Sequence, residues 1–250
     1  MPKFAANLSL LFTERPYAER FAAAAQAGFR AVEILFPYAE EAATQDGLRA
    51  HDLELVLVNA PQPDAAAGHL GLASTPGAED AFRREMMGLM EQVKRLKPGL
   101  IHVMSGNGSG AQAFDTFVDN LRWLTQVAPT QVFTVEPLNP RDRPGYFLTS
   151  YDLAAEVLDR VASDRVGLQY DTYHSALIEG DALDVWRRHQ HRAFHVQIGN
   201  PPDRSEPAPG SVDFPKFFQM LDASGYDGWV SAEYNPSRQT EDTLQWMNYP

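Results

Sequence analysis

The 250-residue sequence contains no cysteine, which excludes a disulfide framework, a thiolate nucleophile and any thiolate metal site. No run of 18 apolar residues occurs in it, so no transmembrane helix is expected. Basic side chains are scarce: 21 Lys and Arg stand against 33 Asp and Glu, a net charge of −12. Affinity for nucleic acid comes largely from Lys and Arg neutralising phosphates, so this balance argues against a nucleic-acid partner. Near the N-terminus Asn7 and Ser9 interrupt the apolar stretch Phe4–Phe12 and no A-x-A cleavage site follows, so no secretory signal is expected and a cytoplasmic soluble protein is the default. Length alone allows one large domain or two small ones. With 44% hydrophobic residues, a chain of this size buries roughly 70–75% of its unfolded surface and needs no structural metal to hold together.

Short β-rich runs alternate with longer amphipathic stretches throughout. The expected strands are Phe4–Leu8, Ala31–Leu35, Glu54–Asn59, Leu100–Met104, Val132–Val135, Arg165–Tyr170, Ala193–Ile198 and Gly228–Ala232. The expected helices run near Arg15–Ala27 (ending at Gly28, a natural C-cap), Glu40–His51, Ala78–Leu96, Ala111–Val127, Ser150–Val161, Ser175–His189, Phe214–Ala223 and Glu241–Met247. Such alternation points to a parallel sheet, and eight units in about 250 residues match the size of a (β/α)₈ barrel. A doubly wound open sheet is the alternative, but the first strand lacks the glycine fingerprint that opens a dinucleotide fold. No linker divides the chain, so residues 1–250 read as one domain. Two loops exceed the usual two to six residues: Ala60–Thr75 after the third strand and Gly199–Val212 after the seventh. Both follow strands and so belong to the C-terminal face of a barrel, where active sites are built.

Polar side chains interrupt the last four strands at corresponding places. Strand alternation sets Thr134 and Glu136 on the face opposite Phe133 and Val135, and Gln169 and Asp171 opposite Leu168 and Tyr170. It likewise sets His195 and Gln197 opposite Phe194 and Val196, and Ser231 and Glu233 opposite Val230 and Ala232. Glu136, Asp171, Gln197 and Glu233 therefore reach one end of the barrel axis, with spacings of 35, 26 and 36 residues against a βα repeat of about 30. Three carboxylates converging without Lys or Arg between them repel, so either their pKa values rise or a cation sits among them. A hard, all-oxygen donor set favours one Mg²⁺ or Mn²⁺ ion.

Six stretches resemble the hydroxypyruvate isomerase family, within the xylose-isomerase-like barrels: Phe4–Phe12, Gly28–Tyr38, Glu136-Pro137-Leu138-Asn139, Gln169–His174, His195–Ile198 and Gly228–Tyr234. The resemblance runs nearly end to end. It implies a (β/α)₈ barrel, one divalent metal held by Glu136, Asp171, Gln197 and Glu233, and Glu136 and Glu233 as the proton-transfer pair. The implied reaction interconverts hydroxypyruvate and tartronate semialdehyde through an enediolate. The loop Asn200–Ser211 departs from the family pattern N-P-x-R-x-E-P-G-x-G-E: Asp203 is an insertion, Ala208 replaces a glycine and Ser211 an acid.

Moving a proton next to a carbonyl requires a base, which a positioned carboxylate supplies at about 10²–10⁴-fold. A divalent ion adds Lewis acidity and a template. His174, three residues after Asp171, suits hydrogen bonding to a substrate oxygen, and the planar fork of Arg204 suits a substrate carboxylate. Asn7 and Asn59 end the first and third strands and are candidates to line the mouth. His195 lies one layer deeper than Gln197 and reads as a buried, hydrogen-bonded barrel residue. Ser105–Gly110 has the composition of a phosphate cradle but lacks the G-K-[ST] ending, and reads as a loop. Phe36-Pro37-Tyr38 and Trp246 are candidates for a contact in a homo-oligomer. The alternatives are a 2-oxo-tetronate isomerase or a ketose 3-epimerase on the same site, a metal-dependent endonuclease-type hydrolase, and a non-catalytic sugar-acid binder. By resemblance, epimerases of this barrel group present histidine where Gln197 sits, which favours the isomerase side. A hydrolase of this type needs more histidines and a basic face.

Overall fold

The computed structural model describes residues 2–62 and 70–248. Its centre is a closed barrel in the order β1-β2-β3-β4-β5-β6-β7-β8, every neighbouring pair parallel. The strands are β1 (Lys3–Asn7), β2 (Ala31–Glu33), β3 (Glu54–Asn59), β4 (Leu100–His102), β5 (Val132–Val135), β6 (Val166–Asp171), β7 (Ala193–Ile198) and β8 (Trp229–Ala232). Around them run α1 (Tyr17–Gln26), α2 (Glu41–His51), α3 (Glu79–Leu96), α4 (Gly110–Val127), α5 (Tyr151–Val161), α6 (Thr172–Glu179), α7 (Ala182–His189) and α8 (Phe214–Ser224). The expected (β/α)₈ barrel is the observed fold, with no glycine-rich dinucleotide turn after β1. No helix among the described residues is long and apolar enough to cross a membrane.

The period-2 pattern explains how one sequence packs two layers. On β6 and β7, Leu168, Tyr170, Val196 and Ile198 pack outward against the helices, where Tyr170 meets Trp186 of α7 and Phe217 of α8. Their neighbours Gln169, Asp171, His195 and Gln197 turn to the axis, all essentially without solvent exposure. Burying polar groups this deeply is tolerable only because they hydrogen-bond one another.

Two of the helical stretches differ from the expectation. The stretch Ser175–His189 is two helices, because Gly180 takes a left-handed conformation at φ +86° and ends α6, and Asp181 caps the start of α7. The segment Thr240–Asn248 is a 3₁₀ helix rather than an α-helix. It folds back onto the barrel, so Trp246 is only 7% exposed, packs on Phe4, Phe218 and Tyr234 and donates its indole N–H to the Tyr234 hydroxyl. Trp246 is thus packed into the core and is not the exposed residue its position suggested. Phe36 is exposed, but Pro37 is buried and the Tyr38 hydroxyl is tied to the Asn59 carbonyl.

Of the two long loops, Ala60–Thr75 includes residues 63–69, which lie outside the described residues. Its C-terminal part meets the Ser105–Gly110 loop at an unusually close backbone approach: a Cβ on Gly106 (φ +79°) would lie 2.2 Å from the Gly71 carbonyl oxygen. The Ser105 amide donates to the Tyr146 hydroxyl, and Gly106 O accepts from Phe147 N. The glycine-rich stretch is a packed joint between neighbouring loops, not a cradle open to an anion.

Candidate active site

Each inward polar side chain is delivered by the end of a strand. Asp171 closes β6 and is also the N-cap of α6, its Oδ1 accepting from the Tyr173 amide at 2.7 Å. That double role follows from the sequence Tyr170-Asp171-Thr172, in which the helix starts where the strand stops, and it fixes the carboxylate at the mouth. Glu136 and Glu233 follow β5 and β8 directly. A loop stapled by the Asn200–Ser205 pair (2.8 and 2.9 Å) brings in Arg204, itself held at φ +54° with its carbonyl accepting from Asn235 N.

The axis is one hydrogen-bonded chain. Gln169 Nε2 donates to Glu136 Oε2 at 3.0 Å and to Gln197 Oε1 at 2.8 Å, and its own Oε1 accepts from Thr134 Oγ1 at 2.9 Å. Gln197 Nε2 donates to Glu33 Oε1 at 2.6 Å, an oxygen that also accepts from Asn7 Nδ2 at 2.8 Å. Glu33 Oε2 lies 2.6 Å from His195 Nε2. His195 is therefore the buried, paired residue of the deeper layer that its position implied. Asn7 does not line the mouth: it is fully buried, with its amide nitrogen on Glu33 and its oxygen accepting from Ser9 N.

Above this layer lies a cavity of about 360 Å³ whose lining includes Asn59, His102, Glu136, Asp142, Arg143, His174, Arg204 and Glu233. Arg204 Nη2 stands 2.6 Å from Asp171 Oδ2 and 2.8 Å from Glu233 Oε2, and Nε donates to the Glu233 carbonyl. The guanidinium expected to meet a substrate carboxylate is here the counter-charge of two buried acids. Burial, followed by the charges of Asp171 and Glu233, pushes the Glu136 carboxyl well above the usual range. Burial likewise pushes Glu233 well up and Asp171 to about 6, in both cases against the pull of Arg204.

His174 has a defined tautomer. Its Nδ1 accepts from the Asn139 backbone amide at 3.0 Å and sits 2.8 Å from Asn139 Nδ2, so the proton belongs on Nε2. Burial, then the charge of Arg204, lowers its pKa well below the ordinary histidine value, which favours the neutral ring. Its Nε2 lies on the cavity side, 3.4 Å from Arg204 Nη1 and 3.9 Å from Asp171 Oδ2.

Glu33 and His102 escaped the sequence reading. Both carry the same signal as Gln197: a lone polar residue in an apolar run (Val32-Glu33-Ile34, Ile101-His102-Val103) on the inward side of the alternation. His102 Nδ1 is 3.2 Å from Asn59 Oδ1 and 3.6 Å from Glu136 Oε2, and its Nε2 is buried without a partner. Burial, then the charge of His195, holds its pKa down at about 3.

The residues suit a cation. Three carboxylates (Glu136, Asp171, Glu233) are buried around one guanidinium, with Glu33 on His195 in the layer below, and Glu136 Oε1 has no hydrogen-bond partner at all. Such burial of uncompensated charge is costly unless a cation is present. Ligand atoms of Glu136, Asp171 and His174 lie within 4.8 Å of one another. Since His174 Nε2 bears the proton, the carboxylate oxygens of this group are the better donors.

The family model described as xylose isomerase-like TIM barrel matches residues 21–249. The chain is 40% identical to 2-oxo-tetronate isomerase of Cupriavidus necator, covering 99% of this chain and 98% of that one. It is 35% identical to hydroxypyruvate isomerase of Escherichia coli K12, covering 99% of each. Among solved structures, AP endonuclease, family 2 from Brucella melitensis superposes with a TM-score of 0.94 at 39% identity, covering 99% of this chain and 98% of that one.

Proposed function

The chain belongs to the xylose isomerase-like TIM barrel family, and from that premise we propose that it is a metal-dependent isomerase of small keto acids, interconverting hydroxypyruvate and tartronate semialdehyde. One observation carries the reading. Glu136 and Glu233 are both buried and both line the same small cavity, with Glu136 Oε1 free of any hydrogen-bond partner and Glu233 Oε2 facing Arg204 Nη2. Two carboxyl groups with raised pKa values facing one cavity are suited to take a proton from one carbon and return it to the next.

In the forward direction the C3–H bond of hydroxypyruvate breaks and its proton goes to one glutamate, leaving an enediolate. A proton is then delivered to C2, the C2–H bond forms, and the hydroxyl proton passes from O3 to O2. The Nε2–H of His174, whose Nδ1 accepts from the Asn139 amide, would donate to a substrate oxygen as charge builds there. Glu136, Asp171, Gln197 and Glu233 are the residues that would hold the ion, whose oxygen donors suit Mg²⁺ or Mn²⁺. When bound, that ion supplies Lewis acidity toward the substrate oxygens and neutralises the developing negative charge. Gln169, by donating to both Glu136 and Gln197, fixes the orientation of two of these side chains.

The keto acid 2-oxo-tetronate, longer by one carbon, fits the same chemistry, and the names of the relatives support both substrates. A ketose 3-epimerase would use the same two glutamates on a neutral sugar. A nuclease reading, raised by the name of the Brucella relative, has less support: the net charge is −12, and three acids (Glu136, Asp142 and Glu233) line the cavity against two arginines. The test is turnover of metal-loaded protein on hydroxypyruvate, 2-oxo-tetronate and neutral ketoses. Isomerisation of a keto acid supports the reading. Binding without turnover of any of them overturns it in favour of a sugar-acid binding barrel.

A further inference from the structure

A keto acid brings a permanent negative charge into a cavity lined by Glu136, Glu233 and Asp142, with Asp171 and Glu33 buried behind them. Some cationic group must meet that charge. Two arginines line the cavity. Arg204 is already taken: Nη2 faces Asp171 and Glu233, Nε donates to the Glu233 carbonyl, and the guanidinium lies over the Tyr173 ring at 5.0 Å. Arg143 differs. Among the described residues its guanidinium forms no hydrogen bond or ion pair, and it is exposed at the mouth.

Its backbone, by contrast, is held. Arg143 N donates to Asn139 O at 3.1 Å, Tyr146 N donates to Arg143 O at 3.3 Å, and Asp142 N donates to Asn139 Oδ1 at 2.9 Å. The same turn is pinned to the site, because Asn139 N donates to His174 Nδ1. The adjacent acid is hydrogen-bonded elsewhere, although it feels the charge of Arg143: Asp142 Oδ2 accepts from Asn139 Nδ2 at 3.0 Å and from the Tyr173 hydroxyl at 2.5 Å, and its Oδ1 faces Arg141. A fixed backbone with a free, planar fork at a cavity mouth is the arrangement that captures a carboxylate in two parallel hydrogen bonds.

We propose that Arg143 is the carboxylate anchor of this site and makes it select 2-keto acids over neutral ketoses of the same length. The inference rests on the isomerase reading for the identity of the ligand. It assigns the role to a residue on the loop after β5, in place of Arg204.

The experiment compares wild type with Arg143→Gln and Arg143→Lys on hydroxypyruvate and on neutral dihydroxyacetone. It also measures calorimetric binding of tartronate, an inert dicarboxylate. Because the side chain is exposed and makes no hydrogen bond or ion pair among the described residues, the variants are expected to keep the wild-type melting curve. The expected result is a rise in KM for hydroxypyruvate of about 10- to 100-fold in Arg143→Gln with kcat little changed. Arg143→Lys should recover part of this, dihydroxyacetone kinetics should not respond, and tartronate binding should weaken in parallel. An active wild type whose KM for hydroxypyruvate and affinity for tartronate are both unmoved by Arg143→Gln overturns the anchor alone. A wild type that turns over no keto acid, yet binds tartronate through Arg143, overturns the isomerase reading and upholds the anchor.

Discussion

Replacing Arg204 by methionine removes the one guanidinium that faces two buried acids while keeping most of the side-chain volume. Breaking a fully buried ion pair by deleting one partner costs about 3–5 kcal/mol, chiefly because the remaining charge is stranded. The Arg204 side chain keeps 19% of its surface exposed, so the lower end, about 3 kcal/mol, applies to the metal-free protein. For a chain of this length each kcal/mol moves the melting temperature by about 2–4 °C, giving a loss of about 6–12 °C in EDTA. The sign of the pH dependence follows from Glu136, Asp171 and Glu233, whose folded-state pKa values are raised. Such groups stabilise the fold at low pH and withdraw that stability as pH rises through their folded pKa values. The defect of Arg204→Met is therefore larger at about pH 8 than at about pH 5, where protons neutralise the acids. A cation that competes with Arg204 for the same oxygens binds the variant without displacing anything. At a free concentration 100 times its Kd it adds about 2.7 kcal/mol, so Mn²⁺ should restore more of the melting temperature in Arg204→Met than it adds to wild type. The assay is thermal unfolding followed by circular dichroism in EDTA and in Mn²⁺ at both pH values. A variant that melts with wild type in EDTA at pH 8, or gains no more from Mn²⁺ than wild type does, refutes the reasoning.

Glu136→Gln and Glu233→Gln should each lower kcat on hydroxypyruvate by about 10²–10⁴-fold, read by steady-state kinetics at saturating metal. Mn²⁺ affinity of the wild type should fall as pH is lowered through about 6, where Asp171 takes up its proton in the metal-free protein. Each displaced proton costs up to about tenfold in Kd per pH unit, measurable by calorimetry. Gly106→Ala should destabilise the fold by about 1–3 kcal/mol in urea unfolding, since its Cβ would strike the Gly71 carbonyl and its φ is +79°.

What the sequence revealed tracks what is periodic. Eight β-rich runs each register a buried parallel strand through their apolar residues, and the inward residues of β5 to β8 stood out because the polar ones fall at equivalent strand ends. Glu33 and His102 obey the same alternation, but β2 and β4 are only three residues long, so a single polar residue in each carries little periodic weight. The split of the sixth helical stretch at Gly180 is a local left-handed turn inside a continuous amphipathic pattern, which periodicity smooths over. Asn7 and Arg204 show a different limit. Their strand and loop positions were legible, but which partner each side chain takes depends on acids some 26 to 33 residues away in sequence. Trp246 looked like surface near a chain end, and it is tertiary folding of Thr240–Asn248 onto Phe4 and Phe218 that buries it.

The central claim is cation-dependent proton transfer by Glu136 and Glu233 on a small keto acid. Proton NMR of hydroxypyruvate in D₂O tests it most directly, with chelator-stripped protein followed by added Mn²⁺ or Mg²⁺. The account predicts no exchange of the C3 protons above background in the stripped sample. On adding the metal it predicts rapid deuterium incorporation together with appearance of tartronate semialdehyde. Equal exchange and turnover with and without the metal would contradict it.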